Sequence, residues 1–275
     1  ISKFMMNLFD LDGKTAIITG GAGILGQGFC QLLAEHGANV AIVDIDLDMA
    51  EKVAEKISKN IPAKKLLPLA CDISDYESIN NMLGKVIDRF NAVHILHNNA
   101  ATKTEDYESF FESFEDYKIE TWREVMRVNI DGMFLTSQVV GKKMIEQECG
   151  GSIINTASIY GVVGPDHRIY NDSEYLGVSI NTPAVYSTSK AAVIGFTKHM
   201  ATYWARHNIR VNALTPGGIE SGQNQNFKNN YSDRVPLGRM GKINELDGAL
   251  LYLASDASSY VTGQNIIVDG GLTCW

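Results

Sequence analysis

The chain has 275 residues, of which 45% are hydrophobic and 20% charged, a composition that supports a large buried core without disulfide or metal staples. A net charge of −8 argues against the basic face that nucleic-acid binding requires. The four cysteines (Cys30, Cys71, Cys149 and Cys274) form no C-x-x-C pair, which excludes a cysteine zinc site and suits a reducing compartment, the cytoplasm by default.

The opening segment, ISKFMMNLFDLDGK, has no basic-then-apolar signal pattern, and no apolar run reaches membrane-spanning length. Short β-branched runs then alternate with amphipathic stretches. Strands are predicted at 15–19, 39–43, 65–70, 93–97, 152–156, 210–214 and 265–268, and helices near 25–36, 49–59, 76–90, 121–146, 185–207 and 244–254. This alternation predicts an α/β fold: a single domain over 1–275, built on a doubly wound parallel sheet of about seven strands with helices on both faces. Ligands of such sheets bind beyond the carboxyl ends of the strands. Three segments, 102–120, 159–183 and 216–243, are too long for simple connections, and each follows a strand, which places it on the ligand side. His94 and His97 sit three apart in a predicted strand, point to opposite faces and read as structural, so no metal site is expected.

The first strand and first helix are joined by TGGAGILG, 19–26. Gly21, Gly23 and Gly26 satisfy G-x-G-x-x-G, a spacing that allows a tight turn, close approach of backbone to a pyrophosphate, and helix–strand packing. Free N–H groups at the helix start would meet the phosphates. An acid ends the second strand: Asp44, in VAIVDID. Its carboxylate can accept from both adenosine ribose hydroxyls and would repel a 2′-phosphate, and neither Ile45 nor Ala22 supplies a cation for that phosphate. The charges favour NAD, with NADP the weaker candidate.

Further along come CDISD with Asp72, NNAA at 98–101, VNIDG with Asn129, SIINTASIYG with Ser158, VYSTSK with Tyr186 and Lys190, and RVNALTPGGI with Pro216 and Gly217. Among the 11 tyrosines, Tyr186 alone has a lysine four residues on. In this order and spacing the motifs resemble the short-chain dehydrogenase/reductase family over nearly the whole chain, with a Rossmann-like fold. The resemblance implies that Tyr186 is the general acid/base, that Lys190 lowers its pKa and holds the nicotinamide ribose, that Ser158 orients the reacting oxygen, and that Asn129 supports a water linking Lys190 to solvent. It also implies a dinucleotide site made by Gly20, Gly21, Gly23, Ile24, Leu25, Gly26, Asp44, Ile45, Cys71, Asp72, Ile73, Asn98, Asn99, Ala100, Tyr186, Lys190, Pro216, Gly217 and Ile219. Asp72 would hold the adenine edge, Asn98 would lie beside the cofactor, and Ile219 would offer its backbone to the carboxamide. Bringing a phenol from a pKa near ~10 to about 7.5 requires roughly 3.4 kcal/mol. A cation about 4–5 Å away supplies roughly 3–4 kcal/mol at an effective dielectric near 20, so Lys190 is expected nearly to suffice.

The chain departs from the family pattern in three places. Ile24 replaces a loop glycine, so either the loop shifts register or a side chain turns away from the phosphates. Ala101 replaces the glycine of N-N-A-G. Ser158 and Tyr186 lie 28 residues apart, about twice the usual separation, and the excess, GPDHRIYNDSEYLGVSIN, is read as an extra wall on the substrate pocket. The long loops carry His167, Arg168, Asn171, Gln223, Asn224, Gln225, Asn226 and Arg234, which points to a hydroxylated ligand. SIYGVVGPDHRIY and YWARHNIRVNALTPGGI resemble bacterial flagellin-modification and surface-sugar oxidoreductases and, more distantly, gluconate 5-dehydrogenases. The expected function is therefore NAD(H)-dependent interconversion of an alcohol and a carbonyl on a sugar, sugar phosphate or sugar acid. Three other readings stay open: a 3-oxoacyl substrate, an NAD-retaining sugar epimerase or dehydratase, and a dinucleotide-binding regulator without catalysis. The resemblance further implies a homotetramer formed through helices 121–146 and 185–207 and the last strand, with a dimer as the other form, and no nucleic-acid or membrane partner.

Overall fold

The computed structural model describes residues 7–275; residues 1–6, where part of the expectation about a signal pattern falls, lie outside the described residues. In chain order the strands are β1 (Thr15–Thr19), β2 (Asn39–Asp44), β3 (Leu66–Ala70), β4 (Ile95–Asn98), β5 (Gly151–Thr156), β6 (Glu174–Tyr175), β7 (Val178–Ser179), β8 (Ile209–Pro216) and β9 (Asn265–Val268). The helices are α1 (Ile24–Glu35), α2 (Leu47–Ser58), α3 (Tyr76–Phe90), α4 (Tyr107–Phe110), α5 (Ile119–Met126), α6 (Met133–Glu146), α7 (Ala184–Trp204), α8 (Gln225–Ser232) and α9 (Asp247–Ala254). Seven strands make one parallel sheet in the order β3-β2-β1-β4-β5-β8-β9, and β6 and β7 form a separate antiparallel hairpin.

The period of two decides which helices cover which face. Ala16 and Ile18 of β1, with Val40 and Ile42 of β2, pack with α1, α2 and α9. Ile17, Ala41 and Val43 point the other way, towards α3, α6 and α7. Both faces are buried, which is why the inner strands read as continuous apolar runs. Asp46 and Asp75 cap α2 and α3 by accepting from the Met49 and Ser78 N–H groups. No side chain caps α1. The order runs outward from β1 to β2 on one side and to β4 on the other, so the strand order reverses there and opens a crevice at the carboxyl ends.

The predicted strands and long helices are present, with one internal difference. The stretch expected as one helix over 121–146 contains a π-helical segment, Arg127–Gly132, between α5 and α6. Each long loop also holds structure of its own: α4 in the first, the β6–β7 hairpin in the second and α8 in the third. Helix α8 (QNFKNNYS) escapes periodicity analysis because only Phe227 and Tyr231, four residues apart, are buried. These two pack with Ile159, Ile169, Val235 and Met240 and so join the second and third loops in one small apolar cluster. Among the described residues no helix is long and apolar enough to cross a membrane.

Candidate active site

A cleft of 770 Å³ opens over the carboxyl ends of the strands. Of the residues named from the sequence, Gly20, Gly23, Ile24, Leu25, Asp44, Ile45, Cys71, Asp72, Ile73, Asn99, Ala100, Ser158, Tyr186, Lys190, Pro216, Gly217 and Ile219 all line it. Gly21, Gly26, Asn98 and Asn129 do not border it.

The glycine loop resolves the register question left by Ile24. Gly20 takes a left-handed backbone, φ +62°, and a Cβ there would come within 2.9 Å of the Ala100 Cα. At Gly26 a Cβ would fall 2.0 Å from the Gly20 carbonyl oxygen, so this position admits only glycine. Gly23 merely precedes α1 with an ordinary φ of −70°. The two sterically required glycines are thus those of the T-G-x-x-x-G-x-G register, and the Ile24 side chain is turned outward, 57% exposed. The Asn99 Nδ2 group donates to the carbonyls of Thr19 and Gly20, while the Asn99 N–H donates to Thr19 Oγ1, which ties the end of β4 to the loop.

Asp44 Oδ2 accepts from the Ala22 N–H at 3.0 Å, and Oδ1 accepts from the Asp46 N–H at 3.3 Å. The side chain both braces the loop and borders the cleft. Asp72 Oδ1 accepts from the N–H and hydroxyl of Ser74 at 2.8 and 2.6 Å. Partial burial works against its ionisation, but the two Ser74 donors and the Arg127 charge hold its carboxyl below the usual range. Asn98, expected beside the cofactor, is instead buried under the sheet. It shares the side of Leu96, facing α6, and its amide donates to Ser137 Oγ and Asn155 Oδ1, each at 2.9 Å. Asn99, one residue on, is the asparagine that meets the cleft.

At the other end of the cleft, Tyr186 lies in the first turn of α7, and Lys190 follows it on the same face, 5% exposed. The Lys190 Nζ donates to the Thr156 carbonyl at 3.0 Å and sits 5.8 Å from the centre of the Tyr186 ring. Ser158 hydrogen-bonds Tyr186. Asn129 lies in the π-helical segment; its Oδ1 accepts from the Thr102 N–H at 2.9 Å and its Nδ2 reaches Ser189 Oγ at 3.4 Å. A π turn aims one side chain off the regular helical repeat, and such turns often mark functional positions.

The protonation balance differs from the expectation drawn from charge alone. Burial pushes the Tyr186 phenol above its ordinary value, the hydrogen bond with Ser158 pulls it partly back, and the Tyr170 phenol adds a smaller push upward. Burial also lowers Lys190 to about 8. The ammonium lies 5.8 Å from the ring centre, and in the chain alone the cost of desolvating a phenolate prevails. Lys190 is itself an expensive residue to bury. Its folded pKa lies below the unfolded 10.5, so its cost is fully present below pH 8 and fades as the pH rises from 8 to 10.5. Lys190→Met is expected to stabilise the fold by about 2 kcal/mol near pH 7. Thermal melts of the variant and the parent should converge towards pH 10.5; a gap independent of pH would contradict this.

The 159–183 segment is not a detached flap. The 3-10 turn Ile159–Gly161 packs on α7, and a Cβ at Gly161 would lie 2.5 Å from the Lys190 carbonyl. Tyr160 and Tyr170 pack beside Ile169, Phe227 and Tyr231. Neither tyrosine borders the cleft, and both serve to join the second and third loops. None of the eight polar loop residues singled out for a hydroxylated ligand borders it either. Several are engaged elsewhere: Arg168 and Arg234 pair with Asp166, Asn224 caps α8, and Gln223 donates to the Ile219 carbonyl. His97, fully buried, bonds Thr156 Oγ1 at 2.8 Å, and burial lowers it to about 3, while His94 Nδ1 accepts from the Thr15 N–H.

Residues 21–273 match a family model described as Enoyl-(Acyl carrier protein) reductase. The 2-dehydro-3-deoxy-D-gluconate 5-dehydrogenase of Dickeya dadantii (strain 3937) is 36% identical over 274 residues, covering 97% of this chain and 98% of that protein. The crystal structure of a gluconate 5-dehydrogenase from Burkholderia cenocepacia J2315, in complex with NADP and tartrate, is 31% identical, with a TM-score of 0.84 and 98% of both chains covered. A short-chain dehydrogenase from Leptospira borgpetersenii serovar Hardjo-bovis (strain JB197) with bound NAD+ is 34% identical, with a TM-score of 0.81, over 96% of this chain and 94% of that one.

Proposed function

Because the chain belongs to the short-chain dehydrogenase/reductase family, we propose that it is an NAD(H)-dependent oxidoreductase that interconverts an alcohol and a carbonyl on a sugar, sugar phosphate or sugar acid. The observation that carries this reading is the grouping of Tyr186, Ser158 and Lys190 at one end of a cleft that runs to Asp44 at the other.

The residues present fit a nicotinamide dinucleotide. The uncapped start of α1 leaves N–H groups facing the cleft beside Gly20, which suits a pyrophosphate. Asp44 Oδ1 and Oδ2 would hold the adenosine ribose, Asp72 and Ile73 would flank the adenine, and Pro216, Gly217 and Ile219 would bound the nicotinamide. The preference for NAD rests on Asp44 and Asp46. Among the described residues lining the cleft the cations are Lys103 and Lys190, and the acids are Asp44, Asp46 and Asp72.

When bound, the nicotinamide donates or accepts the hydride. The Ser158 hydroxyl orients the reacting oxygen, and the Tyr186 hydroxyl gives it a proton or, as phenolate, removes one. Lys190 would hold the ribose hydroxyls and favour the phenolate, and the positive charge of oxidised nicotinamide would add to its effect. Asn129 accepts from the N–H of Thr102, which lines the cleft.

The test is a panel of sugars, polyols, aldonic acids and a 3-oxoacyl thioester with NAD and NADP, read at the nicotinamide absorbance. Turnover of a sugar or aldonic acid supports the reading. Turnover of the acyl thioester with no sugar signal would overturn it in favour of the acyl substrate. NAD that stays bound through turnover without net NADH release would favour an epimerase or dehydratase.

The homotetramer belongs to the same proposal. Phe134 on α6 and Tyr203 on α7 are 47% and 58% exposed, and Trp275 lies 80% exposed at the C-terminal end of the described chain. Such apolar exposure on the two long helices and beside the last strand suits an association surface. Light scattering at micromolar concentration is expected to give four copies; a monomer would refute it.

A further inference from the structure

The charges of the cleft divide by strand. Asp72 follows β3, Asp44 ends β2 and Asp46 comes just after it, whereas Lys103 follows β4. Lys190 donates to the Thr156 carbonyl at the end of β5. In the sheet β4 lies directly beside β5, which Ser158 follows, and β1 separates it from β2. The acids therefore belong to one side of the cleft and the cations to the other. No motif contains Lys103, so nothing in the sequence marks it.

The backbone that carries Lys103 is held against the Tyr186 end. Asn129 Oδ1 accepts from the Thr102 N–H at 2.9 Å, and Asn129 Nδ2 reaches Ser189 Oγ at 3.4 Å. Ser189 Oγ donates in turn to the Tyr186 carbonyl at 2.8 Å. Hydrogen bonds thus tie the residue before Lys103 to the helix turn of Tyr186. On the other flank the Thr104 N–H donates to Thr102 Oγ1 at 3.0 Å, and Thr104 is left-handed at φ 65°, so the chain turns tightly around Lys103. Lys103 itself is exposed and borders the cleft. Neighbouring chain still removes water from its ammonium and holds it below the ordinary lysine value. A cation that has lost part of its water attracts an anion more strongly. The acids that follow in sequence, Glu105, Asp106 and Glu108, do not border the cleft, and Asp106 caps α4 by accepting from the Ser109 N–H and hydroxyl.

We propose that Lys103 is a specificity-determining residue whose ammonium pairs with a carboxylate carried by the substrate. This rests on the oxidoreductase reading above and narrows its substrate class to the sugar acids. One ammonium matches the single charge of a carboxylate. A phosphate dianion calls for more positive charge or for the fork of an arginine, and among the described residues no arginine lines the cleft. Lys190 is already committed to the Thr156 carbonyl beside Tyr186. A neutral polyol offers Lys103 no charge to pair with, so the acid and the polyol of one carbon chain differ at this side chain.

The experiment is steady-state kinetics of the parent, Lys103→Met and Lys103→Arg. The substrates are the panel aldonic acid turned over fastest and the polyol with a hydroxymethyl group in place of its carboxylate, the polyol read as substrate or as competitive inhibitor. Lys103→Met keeps the length of the stem and removes the charge. It is expected to raise the KM for the acid about tenfold, with kcat, the KM for NAD and the polyol constant each within threefold. Lys103→Arg should recover most of the loss. A KM for the acid unmoved in Lys103→Met, a rise shared equally by the polyol, or a rise in the KM for NAD alone overturns the inference and leaves the oxidoreductase reading intact. So does a parent that turns over neutral sugars but no aldonic acid, or a tenfold rise confined to a sugar phosphate, which would assign Lys103 to that anion instead. If no sugar or sugar acid turns over, that reading fails, and calorimetry of D-gluconate with the NADH-loaded protein decides the inference. Binding about tenfold weaker in Lys103→Met and recovered in Lys103→Arg supports it, and equal or absent binding sinks it.

Discussion

Tyr186→Phe is expected to abolish turnover, by roughly 10³-fold or more, while leaving nicotinamide binding within a few-fold of the parent. General acid–base groups contribute about 10²–10⁴ to rate, and the ring itself remains to fill its place at the cleft wall. Quenching of protein fluorescence by NADH would measure binding, and the absorbance assay would measure rate. The pH profile provides an independent check. Burial holds the phenol above its ordinary value in the chain alone, so alcohol oxidation, which needs the phenolate, should accelerate with rising pH. Carbonyl reduction, which needs the phenol, should slow over the same range. Both dependences should vanish in the variant's residual activity. A Tyr186→Phe protein that retained most of its rate would remove this group from the chemistry and the oxidoreductase reading with it.

The second large effect is expected at the opposite end of the cleft. Asp44→Ala should raise the KM for NAD by about 10–100-fold, since a hydrogen bond to a charged group contributes roughly 1.5–3 kcal/mol. The KM for NADP should fall or stay level, narrowing the preference by at least tenfold. Because Asp44 also accepts from the Ala22 N–H at 3.0 Å, part of the loss could come through the glycine loop. Asp44→Asn separates the two contributions. It keeps an acceptor for Ala22 and removes the charge, so it should improve NADP use while costing NAD less than the alanine does. If the ratio of the two cofactors stays unchanged in both variants, Asp44 does not set the choice.

The parts of the site that were legible in the sequence share one property: their position follows from short-range spacing. Tyr186 and Lys190 face the same way because they are one helical turn apart. Asp44 reaches the cleft because it ends a strand whose carboxyl end must open there. The parts that were not legible depend on partners far along the chain. Asn98 and Asn99 are chemically alike, and the strand's alternation sends the first under the sheet towards Ser137 and leaves the second at the loop. The π-helical segment at Asn129 has no local signature, and its side chain is held by Thr102 and Ser189. The polar loop residues gave no guide to the ligand, because asparagine, glutamine and arginine there are engaged in caps and ion pairs on the loops themselves.

By itself, the sequence determined the α/β alternation, the seven-stranded parallel sheet and the family. All three follow from apolar periodicity and from motif spacing within a few residues, which survive any detail of packing. The tertiary structure alone decided the loop register at Gly20 and Gly26, the burial that opposes ionisation of Tyr186, and the tie from Thr102 through Asn129 to Ser189. Those outcomes depend on how closely distant segments approach and how much water they exclude, and no spacing along the chain encodes either quantity.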